Sequence, residues 1–347
     1  MRGRVRLALL ALVALGAAPG TWLRTAVPPL DARAIVLMEP LIFSQQPGSA
    51  VVLEAVWHLT SPNSHFGSYS GLVSLPDDQL LAVSDKGRWL RFAVPKSGGP
   101  GSGGPAPRFG VIGGEVVSDK RQVDAEAVTR DPATGQLWIA YEGSNSIERH
   151  SLSLLGSDRA EPQGMARWSG NKGPEAMARL ADGRFIVIGE GSPDWLGEGF
   201  PALLFSGDPV DGARAQTFGF SAPDGYRATD MAALPDGRVL ILLRAIEGVI
   251  PPRFSAKLVL ADPAHIRPGA TWRGEEVAHF GLDLPTDNFE GLAVVPQDEG
   301  RTDGALTLWL ISDDNGAALQ RTLLYRLRWT PDARKARPAS RTRLSEQ

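Results

Sequence analysis

The stretch that decides the fold runs from Asp124 to Gly143 and reads DAEAVTRDPATGQLWIAYEG. It contains an acid at Glu126, a short apolar run, a turn at residues 131–135, a second apolar run and a second acid at Glu142. Two apolar runs of strand length around a turn rich in Asp, Pro and Gly are typical of a β-hairpin. The sequence therefore predicts a hairpin that carries an acid at each end.

The same unit occurs five times along the chain. The leading positions of the copies, which are Ser70, Glu126, Glu175, Asp230 and Glu290, are spaced by 49 to 60 residues. The third and fourth copies turn on Asp-Gly, which is a hairpin signal. The copies span residues 69–85, 124–142, 175–190, 230–244 and 290–313. A period of about 50 residues with several short strands in each repeat is typical of a β-propeller.

Each repeat has room for two outer strands, so the predicted fold is an all-β propeller of four-stranded antiparallel blades. The expected outer strands are 89–93 and 109–112, 146–152 and 163–169, 202–205 and 215–220, and 257–261 and 276–280. The fifth repeat has a third strand at 323–329 but no fourth. Val51–Leu59 is an unassigned strand, and pairing it with the last blade closes the ring without an open seam. Five blades are predicted, and six are the alternative if residues 27–60 contain a degenerate blade.

The flanking segments suggest export. Arginines 2, 4 and 6 precede the apolar run 7–18, which is typical of a signal peptide and too short to span a bilayer. The predicted organisation is a signal peptide at 1–20, an extended arm at 21–50, the propeller domain at 51–330 and a disordered tail at 331–347. We expect a periplasmic or secreted protein with no other membrane span; an uncleaved anchor is the alternative.

Composition excludes several function classes and leaves the oligomeric state open. The chain has no Cys, which excludes disulfides, thiolate metal sites and a Cys nucleophile. Its net charge of −3 offers no sign of a nucleic-acid partner.

The acids of the repeats are expected to meet on one rim of the propeller, because a hairpin brings the start of its first strand beside the end of its second. Acids open the first strands at Glu126, Glu175, Asp230 and Glu290 and close the second strands at Asp85, Glu142, Glu190 and Asp313. Crowded carboxylates need a cation, a proton or a basic partner, and oxygen ligands favour Ca²⁺ or Mg²⁺. These eight acids are the candidate metal ligands and Ca²⁺ the candidate cofactor; structural roles within each blade are the alternative.

Basic residues lie among the acids. They are Lys86, Arg88, Lys172 and Arg244, the last of which replaces the acid expected at the end of the fourth hairpin. Cations beside a bound metal would suit a small anionic substrate such as a phosphoester. In the alternative interpretation, each base neutralises a neighbouring acid.

Taken together, six pieces of this pattern resemble the bacterial "esterase-like activity of phytase" family. They are Tyr69–Leu72, Ser84–Arg88, Asp124–Val128, Asn171–Ala176, Asn288–Leu292 and Ile311–Asn315. The resemblance implies an exported propeller that hydrolyses phosphoesters or esters. The catalytic candidates are Glu126, Glu175 and Glu290, without assigned roles. A non-catalytic propeller that binds a ligand or an envelope partner is the competing hypothesis.

Overall fold

The structure is a computed structural model that describes residues 29–44, 50–95, 104–115, 117, 119–169, 172–191, 199–249, 252–295 and 304–331. The predicted signal peptide and almost all of the predicted tail lie outside the described residues. No helix in these ranges is long and apolar enough to cross a membrane.

The chain forms five small sheets, which are the five blades of a propeller. Two strands precede the repeats, β1 (Leu37–Pro40) and β2 (Val51–Thr60). Blade one contains β3 (Tyr69–Leu75), β4 (Gln79–Ser84), β5 (Arg88–Ala93) and β6 (Arg108–Val111). After the short helix α1 (Lys120–Val123), blade two contains β7 (Ala125–Arg130), β8 (Leu137–Tyr141), β9 (Ser146–His150) and β10 (Asp158–Ala160).

The remaining three blades follow the same order, with one added strand. Blade three contains β11 (Pro174–Arg179), β12 (Phe185–Gly189), β13 (Phe200–Phe205) and β14 (Ala215–Phe220). Blade four contains β15 (Tyr226–Ala233), β16 (Val239–Val249), β17 (Pro252–Ala261) and, after the added β18 (Thr271–Trp272), β19 (Glu275–Phe280). Blade five contains β20 (Asn288–Val295), β21 (Leu306–Asp313) and β22 (Thr322–Trp329). Short 3-10 helices lie at Pro209–Asp211 and Pro263–His265.

The N-terminal strand closes the ring, as the sequence predicted. β2 pairs antiparallel with β22, from Val51 opposite Trp329 to Leu59 opposite Thr322. β1 then pairs with β2, so these two strands form the outer edge of blade five and not a sixth blade. The fold class and the count of five blades are therefore confirmed.

Two details of the outer strands differ from the prediction. The fourth strand of blade two is β10, and the predicted strand at 163–169 is wrong. That segment forms turns instead, in which Met165 N–H donates to the Pro162 carbonyl and Ala166 N–H to the Gln163 carbonyl. Pro162 lacks an N–H and Gly164 is flexible, which disfavours a regular strand there. The second difference is β18, which adds a parallel fifth strand to blade three beside β14.

The core lies between neighbouring blades. Second strands such as β12 are buried along their whole length, because they are covered on both faces. The first strands β3, β7, β11, β15 and β20 contact one another in that order, and β20 contacts β3 to complete the ring. This arrangement surrounds the central axis with the starts of the five first strands.

The closing strand should contribute strongly to stability. Leu59 is 1% exposed and packs with Tyr69 and Leu324 where blades five and one meet. We expect Leu59→Ala to lower the free energy of unfolding by about 2–5 kcal/mol, measured by denaturant titration. The matched control is Thr60→Ala, which changes the exposed neighbour of Leu59. We expect it to change the free energy of unfolding by less than about 0.5 kcal/mol. Equal unfolding midpoints for the two variants would contradict this role of β2.

Candidate functional site

A β-bulge at the start of each first strand builds one rim of the channel. In every blade the pairing of first and second strands skips one residue there. The bulged residues are Ser70, Glu126, Glu175, Thr229 and Glu290. A bulge re-aims a side chain away from the regular alternation of a strand. The five side chains therefore share one structural position at the same mouth.

The fourth repeat is displaced by one residue from its expected alignment. Ala228 pairs with Leu243 and Asp230 with Leu242, so the bulged residue is Thr229. Asp230 occupies the next position, where the other blades have Gly71, Ala127, Ala176 and Gly291. The predicted equivalence of Asp230 with Glu126 is therefore wrong.

The two bulged hydroxyl residues connect neighbouring blades. Ser70 Oγ donates to the Ala125 carbonyl of blade two, and Thr229 Oγ1 donates to the Phe289 carbonyl of blade five at 3.0 Å. Both acceptors directly precede a bulged glutamate. Blades one and four thus use the bulge to connect the ring, whereas blades two, three and five place a carboxylate there.

Asp230 lies on the axis and binds backbone groups. Its Oδ1 accepts the Met231 N–H at 2.7 Å, and its Oδ2 accepts the Leu292 N–H of blade five at 2.7 Å. Burial raises the pKa of Asp230 well above its ordinary value, while these bonds and the Leu72 N–H of blade one oppose the rise. Asp230 is 0% exposed. Because its carboxylate binds backbone groups of blades four, five and one, it connects these three blades.

Five acids of blades two and three form two overlapping clusters. Carboxylate oxygens of Asp124, Glu126 and Glu142 lie within 4.8 Å of one another, and so do those of Glu142, Glu175 and Glu190. Glu142 belongs to both clusters. We call the five residues the acid cluster. The fold thus brings together four of the predicted ligands, and Asp124 joins them.

Gly173 allows the backbone of blade three to approach Glu142 of the acid cluster closely. Its N–H donates to Glu142 Oε1 at 3.4 Å. A Cβ at this position would lie 2.7 Å from the Glu142 Cα and 2.8 Å from its Cγ, so a larger residue would displace Glu142. The glycine is therefore required by close approach.

The opposite side of the mouth carries the remaining acids and one arginine. Arg244 Nη2 donates to Glu290 Oε1 at 3.1 Å, and these side chains are only 16% and 14% exposed. Asn288 Nδ2 donates to the same Glu290 oxygen at 2.8 Å and lies 3.5 Å from Asp313 Oδ2. Within the described chain, the buried Asn288 Oδ1 receives no hydrogen bond. This side thus combines acids, a fixed cation and a carbonyl oxygen without a donor.

The mouth holds more negative charge than its surroundings compensate. Burial raises the pKa of Glu126 well above its ordinary value, and the charges of Glu175 and Glu290 raise it further. Burial likewise raises the pKa of Glu175, with the charges of Glu190 and Glu142 adding to it.

On the blade-five side of the mouth, the charge of Arg244 limits the rise in the pKa of Glu290. Burial raises the pKa of Glu290, and the Arg244 guanidinium opposes that rise. Burial raises the pKa of Asp313 well above its ordinary value, with contributions from Glu290 and Asp85. These shifts show that acids from four blades influence one another across the mouth.

Among the four predicted substrate-binding bases, Arg244 forms an ion pair with Glu290 of the mouth. Lys86 Nζ donates to Ser68 Oγ at 2.5 Å, and Arg88 Nη1 donates to the Ser64 carbonyl at 2.5 Å. Lys172 is exposed and lies beside Gly173 on the rim of blade three. Asn288, Thr229 and Asp124 were missed as site residues; Asp124 and Asn288 each stand two residues before a bulged glutamate, which is a signal that the sequence does carry.

The model of the phytase-like family, described as "esterase-like activity of phytase", matches residues 64–316. The chain belongs to the phytase-like family. No curated protein matches this phytase-like chain.

Solved structures share the general architecture at low similarity. A nidogen/laminin complex chain matches with a TM-score of 0.44 and 10% identity, covering 83% of this phytase-like chain and 96% of that one. A glucose dehydrogenase matches with a TM-score of 0.42 and 14% identity, over 78% and 99% of the two chains. A luciferin-regenerating enzyme matches with a TM-score of 0.39 and 13% identity, over 76% and 93%. No activity is inferred from likeness at this level.

The donor set of the phytase-like mouth fits a hard divalent cation. Every candidate ligand in the acid cluster is a carboxylate oxygen, which Ca²⁺ and Mg²⁺ prefer. The buried Asn288 Oδ1 is a further oxygen that lacks a donor. The raised pKa values of Glu126 and Glu175 mean that the cluster strongly favours a neutralising partner, either protons or a cation.

Proposed function

We propose that this phytase-like protein is an exported, metal-dependent phosphoester hydrolase that acts at the acidic mouth of the channel. The observation that carries the proposal is the pair of carboxylate clusters that share Glu142, on the same rim as the Arg244–Glu290 pair. Carboxylates suited to a cation and a fixed guanidinium together form a bipolar site, as an anionic phosphoester requires.

Asp124, Glu126, Glu142, Glu175 and Glu190 would hold the cation. A bound Ca²⁺ would supply Lewis-acid polarisation of a phosphoryl oxygen and a more acidic water. Arg244 lowers the pKa of Glu175 as well as that of Glu290, so its charge acts on both sides of the mouth. We infer that Arg244 orients the phosphoryl group and neutralises part of its charge.

The bulged glutamates are suited to proton transfer. A carboxyl group with a raised pKa retains its proton closer to neutral pH, which suits a general acid. The pKa values of Glu126 and Glu175 are raised in this way. The pKa of Glu290 is also raised, although the charge of Arg244 opposes the rise. A carboxylate that binds the cation is ionised, so we infer that whichever of these three carboxyl groups does not bind it holds the proton that is transferred to the leaving oxygen.

The direct test is hydrolysis of phytate, p-nitrophenyl phosphate and p-nitrophenyl acetate by the purified protein, with Ca²⁺ or with a chelator. We expect phosphoester turnover that disappears with chelator and returns with Ca²⁺. Absence of turnover on all three substrates would refute the hydrolase proposal. The non-catalytic propeller, with acids that serve the ring as Asp230 does, would then be favoured.

Arg244 provides a second test of the proposal. Loss of a hydrogen bond to a charged group costs about 1.5–3 kcal/mol, so we expect Arg244→Met to lower kcat/KM for p-nitrophenyl phosphate by about 10- to 100-fold. Arg244→Lys, which keeps the charge, should recover part of the loss. The control is Arg184→Met, since Arg184 pairs with Asp182 in a turn on the opposite rim. Unchanged kcat/KM in Arg244→Met would exclude Arg244 from substrate binding.

A further inference from the structure

A cleft of about 910 Å³ lies between blades two and three. The outermost strand of blade two, β10, has only three residues, and its last residue, Ala160, lies at the cleft. Segment 161–169, which turns instead of forming a strand, makes one wall. The facing wall is β13 and β14. The volume lies in the range of small-molecule sites, about 300–1,000 Å³.

The turn-rich wall is held firmly against blade three. Met165 is 0% exposed and packs with Leu203 and Phe205 in one core cluster. A Cβ at Gly164 would lie 2.9 Å from Leu203 Cδ1, which shows how closely the segment approaches the sheet. Asn145 Nδ2 also donates to the Trp168 carbonyl at 2.8 Å. The cleft therefore has fixed walls and needs little ordering to bind a ligand.

The lining of the cleft is apolar and aromatic. Trp168 is half-buried on one side, and Pro201, Ala215 and Thr217 of β13 and β14 are at least partly exposed on the other. The flat, partly exposed ring of Trp168 suits a planar apolar group.

The charged residues at the cleft are mainly cations. Arg167, Lys172 and Arg214 line it and are exposed. Across the described ranges, Arg167 and Arg214 take part in no ion pair. The one acid of the lining, Glu161, lies 3.6 Å from Arg159 Nη2 and is outnumbered by the three cations. The balance at the cleft is therefore positive.

We propose that this cleft binds an organic anion with a planar apolar body. The apolar body would lie between Trp168 and the β13–β14 surface, with its anionic group toward Arg167 and Arg214. The proposal does not rest on a metal or on hydrolysis, although Lys172 and Gly191 at one end adjoin Gly173 and Glu190 of the mouth.

The test is isothermal titration of the purified full chain with naphthalene-2-sulfonate in the presence of a chelator, so that the metal proposal cannot affect it. We expect saturable binding at one site. The double variant Arg167→Ala/Arg214→Ala should weaken binding by about 10-fold, and Thr217→Trp, which places a large side chain in the cleft from β14, should abolish it. The control is Arg108→Ala, which removes an exposed arginine of blade one and should leave binding unchanged.

The outcomes are distinct. Absence of saturable binding would overturn the proposal, and so would unchanged binding to a Thr217→Trp protein that melts as wild type does. Equally tight binding of uncharged 2-naphthol would overturn the requirement for an anion. If Thr217→Trp does not fold, Ala215→Trp fills the same cleft from an exposed position of β14 and serves instead.

Discussion

Asp230→Ala is expected to lower the free energy of unfolding by about 2–6 kcal/mol. The Asp230 carboxylate accepts the N–H groups of Met231 and Leu292 in a fully buried position on the axis. Alanine would leave both N–H groups buried without an acceptor, and each such group costs about 1–3 kcal/mol. Denaturant titration in the presence of a chelator measures the change.

Glu126→Gln is the matched control for Asp230. It also changes an acid at the mouth, but it removes charge repulsion from Glu175 and Glu290. We expect the metal-free Glu126→Gln protein to be as stable as wild type or more stable. Asp230→Asn, which keeps one acceptor oxygen, should fall between Asp230→Ala and wild type. If Asp230→Ala unfolds at the wild-type denaturant concentration, Asp230 does not connect the blades.

The second large effect is a pH-dependent stabilisation by Ca²⁺. At 100 times its Kd, a ligand stabilises the folded state by about 2.7 kcal/mol, which for a chain of this size is a rise in Tm of about 5 °C. We expect this rise at pH 8 and a smaller one at pH 5, because the carboxylates must be ionised to bind the cation. Thermal unfolding at several pH values, with Ca²⁺ or chelator, measures it.

The metal-free protein should itself become less stable as the pH rises. An acid whose pKa is raised by folding stabilises the folded state below its unfolded pKa, and this contribution is lost as the pH rises through the folded pKa. Burial raises the pKa of Glu126, Glu175 and Asp313 in this direction, and that of Asp287 to about 6. The loss of stability should therefore begin near pH 4 and continue through pH 6.

One variant separates the cation site from other causes of the Ca²⁺ effect. Glu142→Gln changes the residue that both carboxylate clusters share, so we expect it to remove most of the Ca²⁺-induced rise in Tm. Asp182→Asn changes an acid in a turn on the opposite rim and should keep the full rise. A Ca²⁺ effect of equal size in both variants would place the cation elsewhere.

Much of the fold could be predicted because it repeats. The hairpin of residues 124–142 recurs with acids at matching ends, and the leftover strand at 51–59 had only one free edge to pair with. The outer strand of blade two could not be predicted in the same way. Its three residues are too few for a periodic pattern, whereas the apolar residues of 163–169 pack against β13 without forming a strand.

The general position of the candidate site could be predicted from the sequence, but the strand register that decides which residues point into it could not. The sequence indicated a mouth lined with acids, and four of the predicted acids do meet, with Asp124 beside them. It could not show that Thr229 rather than Asp230 occupies the bulge, since a bulge shifts pairing by one residue without changing the polar–apolar pattern nearby. Asp230 therefore resembled a ligand in the sequence and is a connector in the structure.

The most direct test of the cation site is anomalous diffraction from crystals grown with Mn²⁺, a scatterer that oxygen ligands also accept. We expect an anomalous peak bounded by Glu142 and its neighbours, either Glu175 and Glu190 or Asp124 and Glu126. If crystals grown at Mn²⁺ concentrations well above the Kd of a physiological site show no peak at the mouth, the mouth does not bind a cation.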